Sequence, residues 1–479
     1  MHRISPRILL TAVLFVLWTI RPLIARDLPV PQTTLAGAWE GILTAGQTSL
    51  RAVFHFTERE GGGYQATFDS PDQGAFGIPT DTVIVQGNTI QVLLKAIAGR
   101  YIGTREAGAD SIAGAWNQGG QSFPLVLRPR IQPPEPPKRP QEPKPPFPYR
   151  EEEVSFANPK AGILLAGTFT VPSGKGPFPA VVLISGSGPQ DRDETVFGHR
   201  PFLVLSDDLT RRGFAVLRYD DRGVGQSSGI FDKATSRDFA DDAAAAVDFL
   251  KTRKEVRKKK IGLIGHSEGG LIATMLAAES KDIALVVLMA GPGVPGDELL
   301  HRQSALIALA AGATGEEVRK EETRRRALFE VLKSVQDSAA VEERMRAILA
   351  AEMDSALIQD SQAAEATINR PVRMMNTLWF KYFLTYDPRP DLKKVRCPVL
   401  ALVGEKDLQV CPRQNLPEIE AALRAGRNRD FTVRELPGLN HLFQTSETGV
   451  PADYGKIEET ISPAALRLIG DWMEQKSRR

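Results

Sequence analysis

Five short apolar runs constrain the fold of this chain more than anything else in it: FPAVVLISGSG, GFAVLRYDDRG, KIGLIGHSEGG, IALVVLMAGPG and CPVLALVGEKD. Each ends in glycine or an acidic residue, and helix-like stretches separate them. Runs that are apolar on both faces do not suit a water-exposed sheet, and their alternation with helices points to a mostly parallel sheet covered on both sides. The expected fold class is therefore α/β, doubly wound. One intervening helix is legible residue by residue. In TSRDFADDAAAAVDFLKTR, Thr235 with Asp238 three residues on forms a capping box, acids occupy the first turns and basic residues close the end. The continuation KTRKEVRKKK, seven basic residues in ten, reads as a solvated helix end before a strand.

A break in composition precedes this region. Residues 131–148, IQPPEPPKRPQEPKPPFP, are proline at nine of eighteen positions. Proline fixes φ and removes an amide donor, so this stretch is expected to be an extended, semi-rigid linker at a domain boundary. Residues 26–130 are glycine-rich with alternating stretches such as LRAVFHF, and Gly87-Asn88 in VIVQGNTIQV suits a two-residue hairpin turn. They are expected to form a small all-β module, lipocalin-like or half-barrel, in which Trp39 and Trp116 of the recurring LAGAWEG and IAGAWNQGG plug the core. The α/β domain would then span residues 149–479. Within it, residues 293–394 are a charged, helically periodic insertion ending in the aromatic LWFKYFLTYDP, expected to be a helical cap over a site. A helical subdomain with its own aromatic core is the alternative.

Residues 1–25 carry Arg3 and Arg7, a 13-residue apolar run and the small residue Ala25, the pattern of a secretory signal peptide. The run falls short of the roughly 20 residues a spanning helix needs, so no stable membrane span and a secreted or periplasmic location are expected. Cys397 and Cys411 are too few for a disulfide framework and are read as free and packed. A net charge of +2 with 25% charged residues offers no field to draw nucleic acid, so no such partner is expected.

The chemistry concentrates at Gly265-His266-Ser267-Glu268-Gly269, a Gly-x-Ser-x-Gly pattern that follows a strand and opens the apolar helix GGLIATMLAAE. In that context the glycines let backbones approach closely while the serine hydroxyl projects above the sheet. Serine is a poor nucleophile near neutral pH, so a base must take its proton and an acid should orient that base. The chain order expected on this scaffold, serine then acid then histidine, removes most histidines. His2 lies in the signal, His55 in the β module and His199 before the serine, His266 must diverge from Ser267, and His301 lies in the insertion. His441, in a loop straight after the strand-like DFTVREL, remains as the base. Asp407, three residues beyond the strand end at Gly404, is the expected acid, with Glu405 as its rival. Oxyanion donors are expected from the amide of Glu268 and from the glycine-rich turn after AVVLIS, at Ser187 with Gly188 as alternative.

The spaced set SGSGPQDRDE, RYDDRGVGQSSG, GHSEGG, LVGEKDLQV and PGLNHLF resembles the α/β-hydrolase superfamily over residues 152–477. It is similar in particular to secreted bacterial members related to serine aminopeptidases, prolyl oligopeptidase-like proteins and carboxylesterases. The resemblance implies a Ser267, Asp407, His441 triad, an acyl-enzyme mechanism, and a bracing role for the loop of Asp220, Asp221 and Arg222 against the oxyanion loop. Where the family usually carries a histidine before the first oxyanion-loop glycine, this chain has Ser185. Cleavage of small or medium carboxylic esters is the leading expectation, with no cofactor or metal. Short-peptide aminopeptidase activity is the alternative, thioesters share the same machinery, and a noncatalytic binding protein in an inherited hydrolase shell is a third reading. The aromatics from Trp379 to Tyr386 favour an apolar or aromatic group in the pocket. The Glu268 carboxylate is read as a solvated elbow residue, or else as an attractor for a cationic group.

Overall fold

The computed structural model describes residues 35–478 apart from 46–47, 60, 74, 107–109, 119–120, 131–136 and 352–363. The signal-like residues 1–25 and the first part of the proline-rich stretch lie outside the described residues. Contacts divide the chain into two compact units. One is Met1–Lys138 with Asp337–Met374 and Ala452–Lys456, and the other is Arg139–Gln336 with Met375–Pro451 and Ile457–Arg479.

The first unit carries a nine-stranded antiparallel sheet, β1 (Gly37–Ala45) to β9 (Gln121–Pro129), ordered β4-β3-β2-β1-β9-β8-β7-β6-β5. The chain works outward and returns, so its first and last strands pair, Glu40 opposite Arg128. Period-two burial, as in Ile90, Val92 and Leu94, gives the sheet one apolar face. Trp39 and Trp116 are both buried there, and Trp116 stacks on Phe68 with centroids 5.1 Å apart. The hairpin at Gly87-Asn88 forms with Gln86 opposite Thr89, and Gly87 takes φ 58°, the left-handed conformation such turns require. His55 Nε2 lies 2.7 Å from Asp69 Oδ2, while Asp69 Oδ1 accepts the Gly77 amide at 2.5 Å, a local brace within the sheet.

The second unit is built on an eight-stranded sheet ordered β10-β11-β13-β12-β14-β15-β16-β17. Strands β10 (Arg150–Asn158) and β11 (Ile163–Val171) are antiparallel, and β12 (Phe178–Ile184), β13 (Ala215–Tyr219), β14 (Val256–His266), β15 (Ile283–Met289), β16 (Val399–Gly404) and β17 (Phe431–Leu436) run parallel. Every residue of β13 and β16 is buried, which explains their unbroken apolar runs. With the helices α1 (Pro201–Arg211), α2 (Ser236–Thr252) and α3 (Glu268–Glu279), this is the α/β-hydrolase fold. The capping box of α2 forms as expected, Asp238 accepting from both the amide and the hydroxyl of Thr235. From the insertion, α4 (Gly296–Ala310), α5 (Gly315–Ser334) and the aromatic helix Leu378–Thr385 belong to this unit.

Two local expectations are corrected. The basic run is mostly strand: α2 stops at Thr252 and β14 already begins at Val256. Pairing with β12 jumps from Phe178–Val256 to Ala180–Ile261, so residues 257–260 bulge from the ladder and Arg257, Lys258 and Lys259 reach water. The later residues of the expected extended, semi-rigid linker are docked by hydrogen bonds. Gln141 accepts the amides of Thr460 and Ile461 and donates to the Ile461 carbonyl, and Arg139 donates to the carbonyls of Phe197, Gly198 and Ile457. Polar side chains between the prolines supply the hydrogen bonds that proline nitrogens cannot. Cys397 and Cys411 are both free, and burial pushes the Cys397 thiol up to about 12.

Candidate active site

Strand β14 ends at His266 and α3 begins at Glu268, leaving Ser267 alone at the corner. Its φ of 53° and ψ of −119° are strained for a side-chain-bearing residue. The strain is held in place from both sides: the Ser267 amide donates to the Met289 carbonyl at 2.8 Å, and the Gly270 amide donates to the Ser267 carbonyl at 2.9 Å. A Cβ on Gly265 would stand 2.0 Å from the Gly269 carbonyl oxygen, and one on Gly269 would stand 2.1 Å from that of Ile184. Backbone cannot yield as a flexible side chain can. Gly269→Ala is therefore expected to destabilise by at least the roughly 1–3 kcal/mol of an overpacked core, read as a lowered thermal midpoint. An unchanged midpoint would show that the elbow tolerates the extra carbon.

Asp407 lies three residues past β16 with its carboxylate buried. Oδ1 accepts the amides of Gln409 and Val410, both at 2.8 Å, and Oδ2 lies 2.8 Å from His441 Nδ1. An ionised carboxylate only accepts, so Nδ1 carries the imidazole proton and Nε2 is left as an acceptor. The His441 loop is shaped by Asn440, whose side-chain oxygen accepts the amides of Leu442 and Gln444. It crosses close over the strand end because position 404 is glycine: a Cβ there would meet the Leu439 carbonyl oxygen at 2.2 Å. Glu405, the rival acid, is exposed and accepts the Gly438 amide instead.

The turn after β12 sits over Ser267, since a Cβ on Gly186 would come within 3.3 Å of Ser267 Cβ. Its Ser185 hydroxyl donates to Asp221 Oδ1 at 3.1 Å, and Asp221 Oδ2 accepts the Gln190 amide at 2.9 Å. Burial pushes the Asp221 carboxyl well above the usual range. Asp220 holds Arg192 through its backbone amide and its guanidinium, whereas Arg222 turns away to Asp242 and the Asp238 carbonyl. Asp220 and Asp221 thus brace the turn, and Ser185 substitutes a hydroxyl for an imidazole. Among the described residues, the amides of Ser187, Gly188 and Glu268 donate to no protein acceptor. These are the amides of Glu268 and Ser187, the expected oxyanion donors, and of Gly188, the alternative to Ser187.

The Glu268 side chain departs from expectation: it is buried, 2% exposed, where a solvated residue was the leading reading. Oε1 accepts the Ser236 hydroxyl at 2.6 Å and the Trp379 indole N–H at 2.8 Å, while Oε2 is buried without a hydrogen-bond partner. Burial pushes this carboxyl up, opposed by the hydroxyls of Ser236 and Ser187 and by Trp379. The cause is tertiary: α3 starts beneath the first residue of α2 and the aromatic helix. Trp379, stacked on Phe383 with centroids 5.4 Å apart, thereby stands at the elbow.

His266 is not the serine's partner. Nδ1 lies 2.9 Å from Glu194 Oε1, and Nε2 donates to the His441 carbonyl at 3.0 Å. The two imidazole centroids are 4.9 Å apart, so the Asp407–His441 pair is held beside the residue preceding Ser267. Neither Glu194 nor the contact of His266 with the His441 loop was legible in the sequence. His199 is buried against Thr460 and Gln444. His301 packs on Phe329, and burial pulls its pKa down to about 4. Among the described residues no cluster of three or more histidine, cysteine or acidic side chains could hold a metal ion.

A family model described as serine aminopeptidase, S33, matches residues 201–447, just over half of the 479. The esterase EstD of Thermotoga maritima is 27% identical over 310 residues, covering 64% of this chain and 65% of that protein. The 2,6-dihydropseudooxynicotine hydrolase of Paenarthrobacter nicotinovorans is 31% identical over 130 residues, 27% of this chain and 33% of that one. The chain therefore spans less than two thirds of the length of either relative. Among solved structures, a Pyrococcus furiosus esterase aligns at 15% identity with a TM-score of 0.40, covering 68% of this chain and 93% of that one.

Proposed function

Because the chain belongs to the serine aminopeptidase S33 family of α/β-hydrolases, we propose that it cleaves carboxylic esters of small or medium acyl and alcohol groups through an acyl-enzyme. Ser267 attacks the ester carbonyl while His441 Nε2 takes its proton. The tetrahedral oxyanion is met by the amides of Glu268 and of Ser187 or Gly188, where donors aimed at developing charge lower the barrier. His441 then returns the proton to the leaving alcohol. A water deprotonated by the same nitrogen hydrolyses the acyl-enzyme and regenerates the Ser267 hydroxyl. Asp407 holds the His441 tautomer and balances the imidazolium that forms.

The observation that supports this reading is the buried Asp407–His441 pair, which leaves Nε2 as the free imidazole nitrogen and packs on His266, the residue before the strained Ser267. The esterase named among the relatives supports the ester class. Aminopeptidase activity would need a carboxylate free to receive a substrate amine. Glu268, next to Ser267, is instead buried, with Oε1 held by Ser236 and Trp379, which favours esters over a substrate amine approaching from solvent. Trp379 and the aromatic helix behind it suit an apolar or aromatic substituent.

The discriminating measurement is turnover of a p-nitrophenyl ester series against aminoacyl-nitroanilides by the purified protein. Ester turnover is expected to dominate, and anilide turnover exceeding it would sink the esterase reading. A protein that folds yet reacts neither with esters nor with a fluorophosphonate would instead support the noncatalytic alternative.

A further inference from the structure

Behind the Asp407–His441 pair lies a second acid–histidine pair that the proposed chemistry does not use. Glu194 is buried, 3% exposed, and its backbone takes φ 53°, a conformation that a side-chain-bearing residue keeps only when its surroundings enforce it. Oε1 receives two contacts: the Gly186 amide donates to it at 2.7 Å, and His266 Nδ1 lies 2.9 Å away. On its other side His266 Nε2 meets the His441 carbonyl at 3.0 Å. That carbonyl can only accept, so Nε2 carries a hydrogen. The Nδ1–Oε1 contact then needs one further proton, and the pair is neutral overall whether that proton sits on imidazole or carboxyl. Burial, the largest single influence, would lower the His266 pKa, but the charge and hydrogen bond of Glu194, with the His441 carbonyl and the Asp407 charge, together make the net shift upward.

We propose that Glu194 and His266 are positioning residues: a buried strut that fixes the oxyanion turn, through Gly186, against the loop carrying the general base, through the His441 carbonyl. The inference rests on the serine-hydrolase reading of Ser267 and His441. Its logic is geometric. Oxyanion amides and base must address one reacting carbon at once, and a misplacement of about 1 Å costs on the order of 100-fold. Ser185 and Asp221 brace one end of the oxyanion turn and Asn440 shapes the His441 loop, but each acts within its own side of the site. Glu194 and His266 join the two sides.

Glu194→Gln leaves nearly the same volume but cannot serve both neighbours. If the amide oxygen keeps Gly186, its NH2 cannot compensate a buried imidazolium; if NH2 turns to a neutral Nδ1, geometry at Gly186 changes. The expected result for Glu194→Gln, and for His266→Gln, is a fall in kcat of about 10- to 100-fold with KM within about twofold. The rate of fluorophosphonate labelling should fall in parallel. Because the two residues act as one unit, the double variant should be no worse than the poorer single one. Losses of kcat that multiply in the double variant, or an unchanged kcat in either folded single variant, would overturn the strut. Thermal midpoints are measured alongside, and if one single variant fails to fold, the other carries the comparison. A wild-type protein that neither labels nor turns over ester would bring down the serine-hydrolase reading and the strut with it. A competent wild type with an equally competent Glu194→Gln brings down the strut alone.

Discussion

Ser267→Ala is expected to cut ester turnover by on the order of 10⁴- to 10⁶-fold and to abolish fluorophosphonate labelling. Alanine removes the attacking oxygen and nothing else of consequence at the elbow. The backbone bonds from the Ser267 amide to Met289 and from Gly270 back to Ser267 do not involve the hydroxyl. The strain at φ 53° is carried equally by serine and alanine, since both bear a Cβ. The thermal midpoint should therefore move little, which separates loss of chemistry from loss of fold. The oxyanion amides and the base survive in this variant, so a small residual rate over water is consistent with the proposal. A variant retaining more than about a hundredth of wild-type kcat/KM, in a preparation free of contaminating wild type, would mean that the nucleophile lies elsewhere.

What the sequence made legible was governed by short-range rules. The run VLALVG reads as a strand buried on both faces because nothing in it suits water, and all six residues of β16 are buried. Gly87-Asn88 reads as a turn because a left-handed backbone there favours glycine. Ser267, Asp407 and His441 could be chosen because each follows a strand end in the order the scaffold imposes. What escaped depends on distant partners. Glu194 sits among two other acids in QDRDETVF, and only the Gly186 amide and His266, 72 residues further on, distinguish it. Glu268 looked solvated because its acceptors' partners, Ser236 and Trp379, lie 32 and 111 residues away. The basic run failed as a helix end for a related reason: whether charges project from a helix terminus or a strand bulge depends on pairing with β12, which charge spacing does not encode.

Asp407→Asn is the sharpest test of how the proposed base is tuned, with an expected loss in kcat of about 10⁴-fold at nearly constant KM. The argument turns on which atom of the new amide faces His441. Asp407 Oδ1 is fixed by the Gln409 and Val410 amides. An asparagine must keep its oxygen there, because the reverse orientation would set its NH2 against two N–H donors and leave them buried and unsatisfied. Its NH2 is then directed at His441 Nδ1, which must become an acceptor, and the imidazole proton moves to Nε2. That nitrogen can no longer take a proton from Ser267, although volume, packing and substrate contacts are unchanged. Glu405→Gln supplies the internal comparison: Glu405 is exposed and bonded to the Gly438 amide, and a glutamine oxygen can accept the same bond. Its turnover should stay within about twofold of wild type. Equal losses in the two variants would dissolve the distinction between the acids, and an Asp407→Asn enzyme within tenfold of wild type would show that the His441 tautomer is set by something other than this carboxylate.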